Sequence, residues 1–169
     1  MIAVHVSQDF PKPRVPARSV RAVVRAVCAR FGVHRAVVGV AIVGDRTMRE
    51  LNRRFTGRGG TTDCLSFDLS DAGDPAGKRV FDIVVNADKA AGESSRRGHD
   101  IQAELALYVT HGLLHHLGLD DATPAQARQM HGLEDRILRE LGYGDVYCVR
   151  PSGRRASPGR ARPRVRPPR

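Results

Sequence analysis

The chain has no tryptophan and only eight phenylalanines and tyrosines among 169 residues. Its core must therefore be built from Val, Leu, Ile and Ala, for which an apolar fraction of 41% leaves enough material. No apolar run approaches the roughly 18 residues that a membrane-spanning helix needs. The opening MIAVHVSQDFPKPR lacks the basic-then-apolar pattern of a secretion signal. Cys28, Cys64 and Cys148 are widely scattered with no CxxC pair, which argues against a disulfide scaffold and against a cysteine zinc site. These absences lead to the expectation of a soluble, cytoplasmic, single-domain protein.

What the chain does have is positive charge, a formal net of +10, and it is unevenly spread. Residues 150–169, RPSGRRASPGRARPRVRPPR, hold eight Arg, five Pro and no acid. Setting them aside leaves 20 basic against 18 acidic residues in 1–149. The expected organisation is a nearly neutral domain over 1–149 and a disordered basic tail over 150–169, whose composition cannot offset its own ordering entropy. Such a tail attracts polyanions, RNA included, through counterion release. It reads equally as a solubilising appendage.

Apolar periodicity predicts a helix over 16–31 through Val20, Val23, Val24, Val27, Cys28 and Phe31, and a buried strand over 36–43. Asp45 is expected to cap a short helix running through Met48, Leu51 and Asn52. GRGGTT at 57–62 lacks the Lys-Ser/Thr ending of a phosphate loop and reads as a turn. Leu65, Phe67 and Leu69 alternate as a half-buried strand, and VFDIVVN at 80–86 is another. A weaker helix follows over 87–97. Asp100 caps a nearly all-apolar helix that Gly118 ends, and Thr123-Pro124-Ala125-Gln126 opens the last helix with a capping box. Helices and strands do not alternate cleanly. The expected class is α+β, a small mixed sheet packed with about five helices.

His111 and His115 carry the chemistry. Four apart on a helix, they project from one face and can share a metal ion. In an apolar helix an unpartnered imidazole costs a few kcal/mol, so each ring needs a partner. A metal supplies one, and hydrogen bonding within the core is the alternative. Past Gly118 the next donors are Asp120 and Asp121. Two His and one carboxylate suit zinc with an open position for water, and also iron or manganese. His116 points away around the helix, and His131 is a remote fourth candidate. Gly112 stands where an HExxH peptidase has its Glu, which argues against proteolysis and leaves a metal-activated water attacking an ester or phosphodiester.

HGLLHHLGLDD at 111–121 resembles the HGxLHLxGYDH signature of the YbeY endoribonucleases, bacterial ribosomal RNA maturation factors. LNRRFTGRGGTTDCLSFDL at 51–69 is similar to the family's LNxxYRGKDxPTDVLSFPF, and FDIVV at 81–85 to its GDIVI. Met130, Glu134, Ile137, Leu138 and LGYGDVY at 141–147 also fall at the family's spacing. The resemblance spans about residues 33–148. It implies one zinc per chain, held by His111, His115 and, at the third ligand position, Asp121 in place of the usual His. It implies single-strand RNA cleavage at the 3′ end of small-subunit ribosomal RNA, a part in ribosome quality control, and the small ribosomal subunit and a ribosome-associated GTPase as partners. His111, His115 and Arg58 are the implied catalytic residues.

Two departures from the family pattern bear on activity. The family's Arg falls on Thr56, so Arg58 takes the role of phosphate clamp, with Arg53 and Arg54 as alternatives. Phe81 replaces a Gly beside Asp82, a residue read either as an acceptor orienting a metal-site histidine or as an exposed strand carboxylate. An assembly factor that binds RNA around a structural metal is the competing reading, and Thr56 favours it.

Overall fold

A computed structural model describes residues 1–10, 14–75 and 77–147. The basic segment 150–169 and Cys148 lie outside the described residues. The elements run β1 (Ile2–Asp9), α1 (Ala17–Arg30), β2 (Ala36–Val43), α2 (Asp45–Thr56), β3 (Cys64–Asp68), β4 (Arg79–Asn86), α3 (Ala87–Arg97), α4 (Ile101–His116) and α5 (Pro124–Glu140). The strands form one sheet in the order β1-β2-β4-β3, with β1, β2 and β4 parallel and β3 antiparallel to β4. This is the α+β architecture expected, a four-stranded mixed sheet with five helices. None of the helices among the described residues is long and apolar enough to cross a membrane.

Strand register explains the two-sidedness of the sheet. Val38 pairs with Phe81, Val40 with Ile83 and Ile42 with Val85, and all six side chains are buried on one face. The helix α1 buries Val20, Val23, Val24, Val27 and Cys28 in the same core, and α4 packs against β3 and β4. Side chains alternate across a strand, so Gly39, Ala41, Asp82 and Val84 face the other way. There, with His5, Phe55 and Phe67, they line an open groove of about 520 Å³. Asp82 is therefore an exposed strand carboxylate on the face opposite α4, and it does not orient a histidine of that helix.

Three further details differ from the sequence reading. The strand β1 was not anticipated: it is an edge strand in which only Val4 is fully buried, so its hydrophobic pattern is weak while its backbone bonds come from β2. Gly44, not Asp45, caps α2. Asp45 lies inside the first turn, where its carboxylate accepts from Asn86 Nδ2 at 2.7 Å and Thr61 Oγ1 at 3.0 Å. Leu69 falls beyond β3 and is exposed. The helix α2 carries Arg49, Arg53 and Arg54 as expected, runs to Thr56 and closes on Gly57 at φ 72°.

Asn86, wholly buried at the end of β4, connects several elements. Its Oδ1 accepts from Lys89 N at the start of α3, and its Nδ2 reaches Asp45, Thr61 and the Thr62 carbonyl. The helix α4 starts at Asp100, whose Oδ1 accepts from Gln102 N at 2.6 Å. Residues Ala103 to Thr110, with Gly112, Leu113 and Leu114, are buried. Burying Leu113 and Leu114 stabilises the helix against the sheet by about 1.5–3 kcal/mol each. Gly112 is the point of closest approach: a Cβ there would lie 3.3 Å from both Ile83 Cγ2 and Ser66 Cβ. The helix α5 begins with the expected Thr123–Gln126 capping box and Pro124 in its first turn.

Candidate metal centre

Four residues along α4 bring His111 and His115 together, with their Nε2 atoms 3.1 Å apart and their rings perpendicular. The chain then turns at Gly118, at φ 92°, and Leu119 N–H donates back to the Leu114 carbonyl at 3.1 Å. Leu119 packs against the core, which fixes where the next two residues fall. Asp120 Oδ1 accepts from Asp121 N, and Asp121 is the acid turned toward the histidines. Its Oδ2 is 3.9 Å from His111 Nε2 and its Oδ1 is 3.9 Å from His115 Nε2.

The donor set fits a divalent ion. Two nitrogens at 2.0–2.1 Å from a tetrahedral zinc lie roughly 3.3 Å apart, close to the separation of the two Nε2 atoms. His111, His115 and Asp121 each offer one ligand atom, and the three atoms lie within 4.8 Å of one another. These three residues could hold such an ion.

Glu134 determines how His111 presents itself. It is fully buried, yet both carboxylate oxygens are engaged: Oε1 with His111 Nδ1 at 2.8 Å and Oε2 with His131 Nδ1 at 2.7 Å. The Nδ1–H of His111 donates to Glu134, which leaves the Nε2 lone pair for an ion. Burial opposes charge on His111, but the hydrogen bond and charge of Glu134 outweigh it, and the imidazole pKa is raised. His131 belongs to the Glu134 side of His111, not to the His115–Asp121 group, and its ring stacks on Tyr147 at 3.5 Å. The sequence reading gave Glu134 no role. Its signal was an acid set among Met130, Ile137 and Leu138, where an unpaired carboxylate would be costly to bury.

The cluster opens on a cavity of about 370 Å³, whose lining includes Asp63, Lys89, Arg97, Tyr108 and Tyr147. Arg58 does not line it. It lies exposed on the loop after α2, its backbone N–H donating to Thr56 Oγ1 at 3.3 Å. Thr56 in turn donates to the Asn52 carbonyl, tying the helix end together. Arg53 and Arg54 are exposed, and the Arg54 guanidinium lies over Phe55. His116 faces away from the cluster and stacks on Phe81, with ring centroids 5.5 Å apart. Burial lowers its pKa. Cys64 stands outside the ligand group. Burial, reinforced by Asp63, Glu134 and Asp121, pushes its thiol far up, so it stays protonated at neutral pH.

Comparison with known proteins shows the family and the fold. The family model described as Endoribonuclease YbeY matches residues 7–142. A protein of Anaeromyxobacter sp. named Endoribonuclease YbeY is 38% identical over 141 residues, covering 83% of this chain and 73% of the relative. Its namesake in Anaeromyxobacter dehalogenans is 36% identical over 139 residues, covering 82% and 72%. The solution structure of a Thermotoga maritima protein shares the fold with a TM-score of 0.55 at 19% identity, covering 82% of this chain and 88% of that one. On the family match over residues 7–142 and on these relatives, the chain belongs to the YbeY endoribonuclease family.

Proposed function

We propose that the protein is a zinc-dependent endoribonuclease that cleaves single-stranded RNA, with the 3′ end of small-subunit ribosomal RNA as its substrate. The observation that carries this reading is the convergence of His111, His115 and Asp121 beside an open cavity, with Glu134 fixing the tautomer of His111. Zinc bound there supplies Lewis acidity toward a phosphodiester oxygen and toward water. The chain's own residues do the rest. Glu134 holds the His111 ring in place and keeps its proton on Nδ1. Asp121 contributes a negative charge where the family usually has a neutral imidazole, which makes the centre less electrophilic. Arg58 meets the phosphate chain from the loop after α2, and the basic segment 150–169 adds a sequence-independent RNA anchor.

In this role the protein works in the cytoplasm on the small ribosomal subunit, with a ribosome-associated GTPase as a partner, and contributes to ribosome quality control. The peptidase alternative is disfavoured by packing: Gly112 occupies the position of the peptidase Glu, and its Cβ would already press on Ile83 and Ser66. The test is incubation of zinc-loaded protein with a single-stranded RNA that carries the 3′-extended end of small-subunit rRNA. The parent is expected to cut it and His115→Ala to leave it whole. RNA binding without cleavage by the parent would instead support an assembly factor, the reading that Thr56 favours.

A further inference from the structure

Among the described residues, five carboxylates line the cavity beside the histidines, Asp63, Glu93, Glu104, Asp121 and Glu134, against two Lys or Arg side chains, Lys89 and Arg97. A phosphodiester entering such a cavity meets opposing charge unless a cation is free to receive it. Arg97 is not free. Its Nε lies 3.3 Å from Glu93 Oε2 and its Nη1 3.8 Å from buried Glu104, and Glu93 is shared with Arg96. The other cations near these elements are engaged or outside: Arg79 pairs with Asp68 at 3.0 Å, and Arg58 is not part of the lining. Lys89 is different. Its ammonium has no ion-pair partner among the described residues, although its charge helps lower the pKa of Asp63 and of Glu93 after their own hydrogen bonds and burial have acted.

The position of Lys89 is fixed by its backbone. It is the third residue of α3, and its N–H donates to Asn86 Oδ1 at 3.2 Å, so the side chain springs from a capped first turn anchored to the buried end of β4. A lysine on a rigid base with a flexible stem suits a phosphate as a point charge, without the fixed fork of an arginine.

We propose that Lys89 holds the RNA phosphate inside the cavity and is the specific cation of the substrate site, a part that the family resemblance assigns to Arg58. This rests on the endoribonuclease reading above. Lys89 acts on binding more than on bond breaking, so its loss raises KM more than it lowers kcat.

The test uses full-length, zinc-loaded protein and a labelled single-stranded oligoribonucleotide, with dissociation constants measured across a salt series and metal content checked in parallel. Lys89→Met, which keeps the stem and removes the charge, is expected to weaken binding about tenfold and to flatten the slope of log K against log salt by about 0.7. Lys89→Arg is expected to restore both, and cleavage by Lys89→Met to show the rise in KM. An unchanged slope and affinity in Lys89→Met would overturn the inference, as would a Lys89→Arg variant as weak as Lys89→Met. A parent that binds RNA but cuts none would defeat the endoribonuclease reading, while the salt slope would still decide the role of Lys89. A parent that binds no RNA would defeat both.

Discussion

The carboxylate of Glu134, nearly three turns into α5, meets the Nδ1 of His111 on α4 at 2.8 Å and is buried. One contact between two helices thus sets the chemistry of a third element, the cluster completed by Asp121 beyond Gly118. Because both oxygens of Glu134 are occupied by imidazoles, the charge is satisfied only when both rings present Nδ1–H to it.

Glu134→Gln should therefore lower zinc affinity about 10–100-fold. The amide can accept from one histidine, but it turns an NH2 toward the other. Competitive zinc titration against a chromogenic chelator would read the change. Affinity equal to the parent would show that Glu134 does not orient the ligand.

Replacing Asp121 tests the third ligand. Elemental analysis of protein purified without a histidine tag should find about one zinc per chain in the parent and a marked loss in Asp121→Ala. Asp121→His, which restores the usual ligand type at this position, should recover the metal. Equal metal in parent and Asp121→Ala would move the third ligand elsewhere, with His131 the next residue to replace.

His116 gives the fold a pH dependence of its own. Burial against Phe81 lowers its pKa in the folded chain, so the unfolded chain takes up a proton first. The stability it contributes is complete above its unfolded value of about 6.5 and is lost as the pH falls through the lower folded value. His116→Phe keeps a ring beside Phe81 and removes the titration. The melting temperature of the parent relative to this variant should fall as the pH is lowered from neutral. A constant difference would mean that His116 titrates alike in both states.

Gly112→Ala should cost about 1–3 kcal/mol, since the new methyl meets Ile83 and Ser66 at 3.3 Å and pushes α4 off the sheet. Thermal unfolding would measure the loss. The displacement also moves His111, so zinc affinity should fall with stability. A variant as stable as the parent would show that the helix–sheet contact has slack.

The features that could be read from the chain alone are those that one element specifies. His111 and His115 share a helix, and Asp120 and Asp121 follow just past its end, so local spacing brought the two histidines and this acidic pair into view, while the family resemblance singled out Asp121. Both caps at Asp100 and Thr123 were equally local. Glu134 and Lys89 were not visible in this way, because each reaches the cavity from another helix and is meaningful only once α3, α4 and α5 have packed. The strand β1 was missed because an edge strand draws its order from its neighbour's backbone rather than from its own apolar pattern. The side of the sheet that Asp82 occupies was within reach: buried Phe81, Ile83 and Val85 leave an alternating strand no other choice.

The loop that carries Arg58 is held firmly at both ends and lightly between. Asn52 and Thr56 secure the departure from α2, and Asn86 grips Thr61 and Thr62 at the return. Of the four residues from Gly57 to Gly60, three are glycines beside which a Cβ would touch nothing within 4 Å, and the side-chain bonds to them are those from Asn52 to the Gly60 carbonyl and from Arg58 N–H to Thr56 Oγ1. Arg58 is thus mounted on a short tethered arm. Open space beside its three glycines means that a change in the course of this arm would press on no core side chain.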